Sequence, residues 1–277
     1  LKASYSKMKQ FVNLLTSTTV GFPTDIWIPS TDIVLPQNST QYALSANFNF
    51  ANTYDLSIEG YYKDMNNLVE YKEGAGLFLD FDNTEVKDAD MWESKVTQGT
   101  GWSYGVELLL RKDIGKLKGW AGYTLSWANR QFDEIDNGEV FPFTYARRHD
   151  FAIALTYKLN DTYDFGMNWV FNTGNAITLA TANYMSYVDI QNFYAAIERL
   201  EGEIPRYYRS TEYYENRNNF RMPSYHRLDL GVNIHKQKKR GTRTLSLGLY
   251  NAYCHMNSFM IEVETNGEVK RVKRLMP

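Results

Sequence analysis

The sequence predicts an all-β chain built as the wall of a membrane-spanning antiparallel β-barrel. Three observations carry that expectation. Apolar and polar residues alternate with period two in segment after segment, the connections between these segments alternate in length, and aromatic residues are abundant in a chain that is not greasy on average.

Period two places successive side chains on opposite faces, which marks a strand rather than a helix. In chain order the apolar sets are Tyr42/Leu44/Ala46/Phe48/Phe50, Tyr54/Leu56/Ile58, Val106/Leu108/Leu110 and Ala121/Tyr123/Leu125/Trp127. They continue with Phe151/Ile153/Leu155/Tyr157, Tyr163/Phe165/Met167/Trp169/Phe171, Leu228/Leu230/Val232/Ile234 and Leu245/Leu247/Leu249. Together with a strand-like opening at Leu1–Tyr5 this gives about nine segments of about ten residues, the reach of a tilted membrane strand. The opposite face carries Glu59, Glu107, Arg111, Asp150, Arg227 and Asp229, candidates to face a wet lumen or a protein plug. Rings toward segment ends, at Tyr54, Trp120, Trp127, Tyr163, Phe171 and Tyr253, are expected to form interfacial girdles.

Short turns are expected at 51–53, 113–117, 159–162 and 237–241, and long polar loops at about 17–40, 65–98, 133–147 and 174–222. Tight turns on one side and long loops on the other are the arrangement of an outer-membrane barrel, with the long loops outside the cell. A soluble sandwich would rarely keep that alternation, because long structureless loops are uncommon in compact domains.

Composition agrees. Of 277 residues, 15 % are aromatic, yet mean hydropathy is −0.48. No stretch approaches the roughly eighteen apolar residues a membrane helix needs, whereas barrel strands average polar with apolar and stay low. The net charge is −2. The one basic run, His235-Lys236-Gln237-Lys238-Lys239-Arg240, falls between two strands and is read as a solvated turn, so no nucleic-acid partner is expected. A single Cys254 gives no disulfide framework. The chain opens without an initiating Met inside a strand-like segment, and a longer polypeptide is expected around it.

The segments Gly101-Trp102-Ser103-Tyr104-Gly105-Val106-Glu107-Leu108, Gly119-Trp120-Ala121-Gly122-Tyr123-Thr124-Leu125-Ser126 and Phe141-Pro142-Phe143-Thr144-Tyr145-Ala146-Arg147-Arg148-His149-Asp150, followed by Trp169-Val170-Phe171-Asn172-Thr173-Gly174 and Tyr225-His226-Arg227-Leu228-Asp229-Leu230, resemble the C-terminal barrel of TonB-dependent outer-membrane receptors. The likeness runs along nearly the whole chain, in order. It implies a 22-stranded barrel, closed by an N-terminal plug, that imports a scarce nutrient with energy delivered through TonB. Residues 1–277 would then be the C-terminal portion of that barrel, with the plug and the closing strand absent. Implied partners are outer-membrane lipid, the N-terminal strands and plug, TonB acting through the plug, and a surface lipoprotein lid. Cargo stays open among iron chelates, cobalamin, glycans and peptides. Residues 259–263 and 269–272 read as a hairpin around 265–268, expected to project beyond the membrane.

Chemistry is sparse. The histidines, His149, His226, His235 and His255, show no paired ligand spacing, and neither a nucleophile elbow nor a phosphate-cradling Gly loop occurs. No enzyme, cofactor or metal is expected. His149 and His226 are read as members of a lumen hydrogen-bond network. Asp80, Asp82, Asn83, Glu85, Asp88 and Asp90 could hold calcium but lack EF-hand spacing, and are read as an ordinary acidic loop. The loop 174–222 is dense in rings, including Tyr184, Tyr187, Tyr194, Tyr207, Tyr208, Tyr213 and Tyr214. Such rings suit either packing or capture of cargo or a partner, and residues 195–200 are expected to form a short helix. The sequence alone therefore predicts active import, with a passive porin-like channel and a soluble all-β binding module as alternatives.

Overall fold

The computed structural model describes residues 1–15, 26–72, 92–179, 182–187, 208–263 and 269–273. β1 (Lys2–Gln10) leads into a small hairpin of β2 (Val12–Leu15) and β3 (Ile26–Pro29), and then come the long strands β4 (Gln37–Phe50), β5 (Tyr54–Tyr71), β6 (Val96–Lys112) and β7 (Leu117–Gln131). The two-residue β8 (Phe141–Pro142) precedes β9 (His149–Lys158) and β10 (Tyr163–Asn172). The long connection that follows holds β11 (Ala176–Ile177), β12 (Ala182–Tyr187), β13 (Tyr208–Tyr213) and β14 (Phe220–Arg221). β15 (Tyr225–Lys238), β16 (Gly241–Leu249), β17 (Ser258–Val263) and β18 (Val269–Lys273) complete the order.

One antiparallel sheet runs β1-β4-β5-β6-β7-β9-β10-β15-β16, each strand paired with the next wall strand in sequence. The four short turns all fall at one end. At the first, Ala51 and Asn52 take positive φ of 53° and 48°, the left-handed pair of a type I′ turn, and the Thr53 N–H donates to the Phe50 carbonyl at 3.3 Å. At another, Asn160 Oδ1 accepts from the backbone N–H of Thr162 and Tyr163 at 2.8 and 2.9 Å, which tightens the turn without glycine.

Residues opposite each other across an antiparallel ladder share a face, so the register carries each apolar set into the next. Phe48 stands opposite Leu56, Leu56 opposite Leu110, Leu110 opposite Ala121, Ala121 opposite Ile153, Ile153 opposite Trp169, and Trp169 opposite Leu228. Every apolar set read from the sequence lies on this one face. It is not covered: Leu44, Leu247 and Leu249 remain 55–64 % exposed. Tyr5, Tyr42, Tyr62, Tyr104 and Trp127 form a continuous ring row near the long-loop end, with the Arg148 guanidinium 4.4 Å from the Trp127 ring centroid. At the short-turn end Phe50 stacks on Tyr54 at 5.3 Å, with Lys112 over the Tyr54 ring and Tyr157 and Tyr163 on the same face. From Tyr54 to Tyr62 the strand travels about 26 Å at about 3.3 Å per residue, the scale of an outer-membrane apolar band.

Dry packing lies instead at the long-loop end. Leu15, Ile28 and Val34 cluster with Val69, Tyr71 and Val96, and Leu68 clusters with Phe132, Ile135 and Phe141. β5 therefore runs on to Tyr71, past the loop start expected at Met65. The register shifts between Asn66 and Leu68, and Asn67 sits at φ 58°, so the extra residue turns Leu68 and Glu70 onto the face that Glu59 occupies. A reading by strict alternation loses the strand there. β17 pairs with β18 as the sequence suggests, while residues 195–200, the turn 265–268 and the acidic loop 80–90 lie outside the described residues.

Two expectations are corrected. Trp120 pairs with Arg111 and Ala154 on the polar face, one residue out of phase with Ala121, so it belongs to no outer girdle. His149 and His226 stand opposite Leu125 and Phe171 on the apolar face. There Tyr123 Oη lies 2.8 Å from His149 Nδ1, and His226 stacks on His255 with ring centroids 3.6 Å apart; neither joins a lumen network.

Close packing at the bulge gives a test. A Cβ on Gly101 would lie 2.7 Å from Leu68 Cδ1 and 2.9 Å from the Asn129 carbonyl, whereas one on Gly60 meets nothing nearer than 3.9 Å. Gly101→Ala is predicted to destabilise by about 1–3 kcal/mol, and Gly60→Ala to change stability by less than about 0.5 kcal/mol. Urea unfolding of the two variants measures the contrast.

Candidate functional site

The polar face is the first candidate, and all six residues singled out for it share it. Glu59 stands opposite Glu107, Glu107 opposite Thr124, and Thr124 opposite Asp150, in one row across β5, β6, β7 and β9. Like charges directly opposite each other repel, and among the described residues no hydrogen bond or ion pair reaches Glu59 or Glu107. Asp150 is 3.6 Å from Arg147. Arg111 sits nearer the short turns, bound by Asp113 at 2.8 Å. Arg227 pairs with Asp229 at 2.9 Å and also donates to Tyr225 Oη and Tyr250 Oη. Asp229 in turn accepts from the Asn251 backbone N–H at 3.0 Å.

The second candidate is a cluster at the long-loop mouth of the same face, which sequence reasoning missed. The bulge at Asn67 aims Glu70 inward, where its two oxygens accept from Arg130 and Arg217, each at 2.6 Å. The Arg130 guanidinium stacks 3.8 Å above the Phe143 ring and that of Arg217 lies 5.6 Å from the Phe141 ring. The backbone N–H of Arg217 donates to Asp136 Oδ2 at 3.0 Å. Asn218 Nδ2 donates to the Pro142 carbonyl at 2.8 Å, and the Asn218 N–H to Thr178 Oγ1 at 3.0 Å. Arg221 donates to the carbonyls of Ala146 and Gly174; burial and the nearby Arg148 charge push its pKa down. The ends of β5 and β7 and both ends of the loop 174–222 are thereby tied to the connection 132–148. The only sequence signal was the pair Asn66-Asn67, residues that tolerate positive φ, in the middle of an alternating strand.

The ring-rich loop is placed in part. Tyr184, Tyr187 and Tyr208 lie on the paired strands β12 and β13, Tyr213 ends β13 with its side chain 52 % exposed, and Tyr214 is half-buried. Tyr194 and Tyr207 lie outside the described residues. Among the described residues no group of three or more His, Cys, Asp or Glu side chains is placed to hold a metal ion.

A sequence profile of the family described as "TonB dependent receptor-like, beta-barrel" matches residues 1–252. No curated protein matches the chain. Among solved structures it is similar to the ferripyoverdine receptor of the outer membrane of Pseudomonas aeruginosa, at 12 % identity and a TM-score of 0.54, covering 92 % of this chain and 27 % of that one. It is similar also to Fiu, the ferric-catecholate import receptor of E. coli, at 13 % identity and 0.53, covering 92 % and 29 %. A third is BauA, the ferric preacinetobactin receptor of Acinetobacter baumannii, at 10 % identity and 0.50, covering 97 % and 31 %. At these identities the likeness establishes the fold. The chain spans less than a third of each of these structures.

The mouth cluster generates a second prediction. Glu70→Gln leaves two guanidinium groups without their shared anion, a loss of about 3–5 kcal/mol for a buried pair and less for this partly exposed one. Hydrogen exchange at residues 215–222 is expected to quicken at least tenfold while exchange in β9 and β10 is unchanged. Unchanged exchange at 215–222 contradicts the anchoring role.

Proposed function

The chain belongs to the TonB dependent receptor-like β-barrel family, and we propose that it forms the C-terminal wall of an active nutrient importer in a bacterial outer membrane. The observation that carries this reading is the outer face. Nine strands in register present one uncovered apolar surface with rings near both ends, while the packed cores lie at the long-loop end. In water such a face would cost about 1.5–3 kcal/mol for each large side chain left uncovered; in lipid it costs nothing of that kind.

On this reading Glu59, Glu107, Arg111, Asp150, Arg227 and Asp229 face the plug or the passing cargo. The repelling Glu59 and Glu107 carboxylates favour a cation between them, brought by whichever of the two occupies the lumen. The long loops, anchored through Glu70, Arg130 and Arg217, capture cargo outside, and the tyrosines of the loop 174–222, from Tyr184 to Tyr214, offer ring contact area to cargo or to a surface lipoprotein lid. Nothing is covalently changed. Binding outside is followed by a plug rearrangement that weakens the site and opens a path, powered through TonB. The three similar structures are named for ferric-chelate cargo, so a ferric chelate is the cargo class to test first.

Uptake of radiolabelled ferric chelates by cells with and without the gene tests the function. Active import predicts uptake that depends on the gene and stops when the proton gradient is collapsed; gene-dependent uptake that persists contradicts it. The wall itself is tested by neighbours of one residue type on opposite faces. Leu108→Arg, at the middle of the apolar face, is predicted to weaken assembly in the membrane by about 2–4 kcal/mol, and Leu109→Arg, on the polar face, by less than about 1 kcal/mol. Folding into lipid vesicles, followed by gel mobility before and after heating, measures both.

A further inference from the structure

The β15–β16 hairpin carries a basic end for which the transport reading has no use. Between His235 and Thr244 the sequence places Lys236, Lys238, Lys239, Arg240 and Arg243 with no acid, and all five are exposed. Lys236 stands directly opposite Arg243, an arrangement that destabilises a ladder unless an anion lies between the two. Acids of the other short turns are already engaged. Asp55 accepts from Asn49 at 2.7 Å, Asp113 holds Arg111, Asp161 holds Lys158 at 2.8 Å, and Asp164 binds His235 at 2.5 Å. Among the described residues none of the five hairpin cations has an ion-pair partner. The four short-turn ends (49–55, 111–118, 158–164 and 235–243) together hold ten Lys and Arg against four Asp in a chain of net charge −2, so positive charge is concentrated at this end of the wall.

We propose that this end binds the phosphate of an anionic phospholipid headgroup, held between Lys236 and Arg243. Alternation puts Lys236, Lys238 and Arg243 on the outer face, continuing directly from the apolar pairs Val232/Leu247 and Ile234/Leu245. A lipid whose acyl chains lie along those pairs brings its phosphate to the level of the cations. Long basic side chains suit that position, since their stems cover apolar surface while the charged heads reach the interface. Arg243 can meet a phosphate with two parallel N–H donors and Lys236 with a point charge. The basic run thus becomes a membrane-facing contact rather than a solvated turn. The proposal rests on the outer face being lipid-facing.

The test uses the full polypeptide that contains this chain, in nanodiscs of phosphatidylcholine alone and of phosphatidylcholine with phosphatidylglycerol, with retained lipid identified by native mass spectrometry. Preferential retention of phosphatidylglycerol is expected. Lys236→Gln and Arg243→Gln should each lower it roughly fivefold, while Lys118→Gln, on the polar face at the same end, leaves it unchanged. Equal retention of both lipids by an assembled wild-type barrel overturns the proposal without reference to any variant. Displacement of the lipid by excess inorganic phosphate overturns it too, since that marks a site for free anions. Gel mobility before and after heating reports assembly separately: a wild-type protein that forms no heat-modifiable barrel refutes the membrane reading itself, whereas an assembled barrel without lipid preference refutes only the headgroup site.

Discussion

The backbone's need for hydrogen bonds in a solvent that offers none governs this structure. In hydrocarbon an unpaired N–H or C=O costs several kcal/mol, so a strand is tolerated only with neighbours on both sides. The nine-strand ladder satisfies that need internally from β4 to β15. Continuous pairing has a further consequence. Side chains opposite each other share a face, so once one strand turns its apolar set outward, register passes the choice to every strand after it. A slip of one residue anywhere would expose a polar set to lipid, and among the wall strands the one shift recorded, at Asn67, falls beyond the ring row, where the wall has given way to loops.

That bulge separates two regimes of the same strands. Below it, the register is unbroken and the apolar sets keep to one face, while the other face mixes small and charged residues with Tyr61, Leu109 and Trp120. Above it, Leu68 and Glu70 turn inward, and the strand ends pack small apolar cores and an ion-pair cluster as a soluble domain does. A one-residue insertion lets a single strand serve as membrane wall at one level and as loop anchor at another, with Glu70 linking Arg130 on β7 to Arg217 at the end of the long connection.

Much of the wall was legible because period two is a local property. Leu228/Leu230/Val232/Ile234 and Phe151/Ile153/Leu155/Tyr157 need only their own sequence to declare a face, and the short turns announce themselves through Asn52 and Asn160. Failures occurred where a local rule was overridden. Asn67 breaks the alternation, so the outer third of β5 looked like loop. Trp120 lies near a strand end, but its position one residue from Ala121 puts it on the other face. His226 is followed in sequence by Arg227 and Asp229, but it has the parity of Leu228. The mouth cluster joins residues 60 and 147 positions apart, and no spacing rule connects such distant partners.

A wall of this kind meets lipid with one face of the ladder and water with the other. The most direct measurement is a spin-label scan of positions 104–112 and 227–235 in the membrane-embedded protein, with Cys254 replaced, reading collision with lipid-soluble oxygen and with a water-soluble nickel chelate. Accessibility is expected to alternate with period two and in phase with the register, oxygen maximal at 106, 108, 110, 228, 230, 232 and 234 and the chelate maximal between them. Uniform aqueous accessibility along both strands, or oxygen maxima at the odd positions, would contradict it.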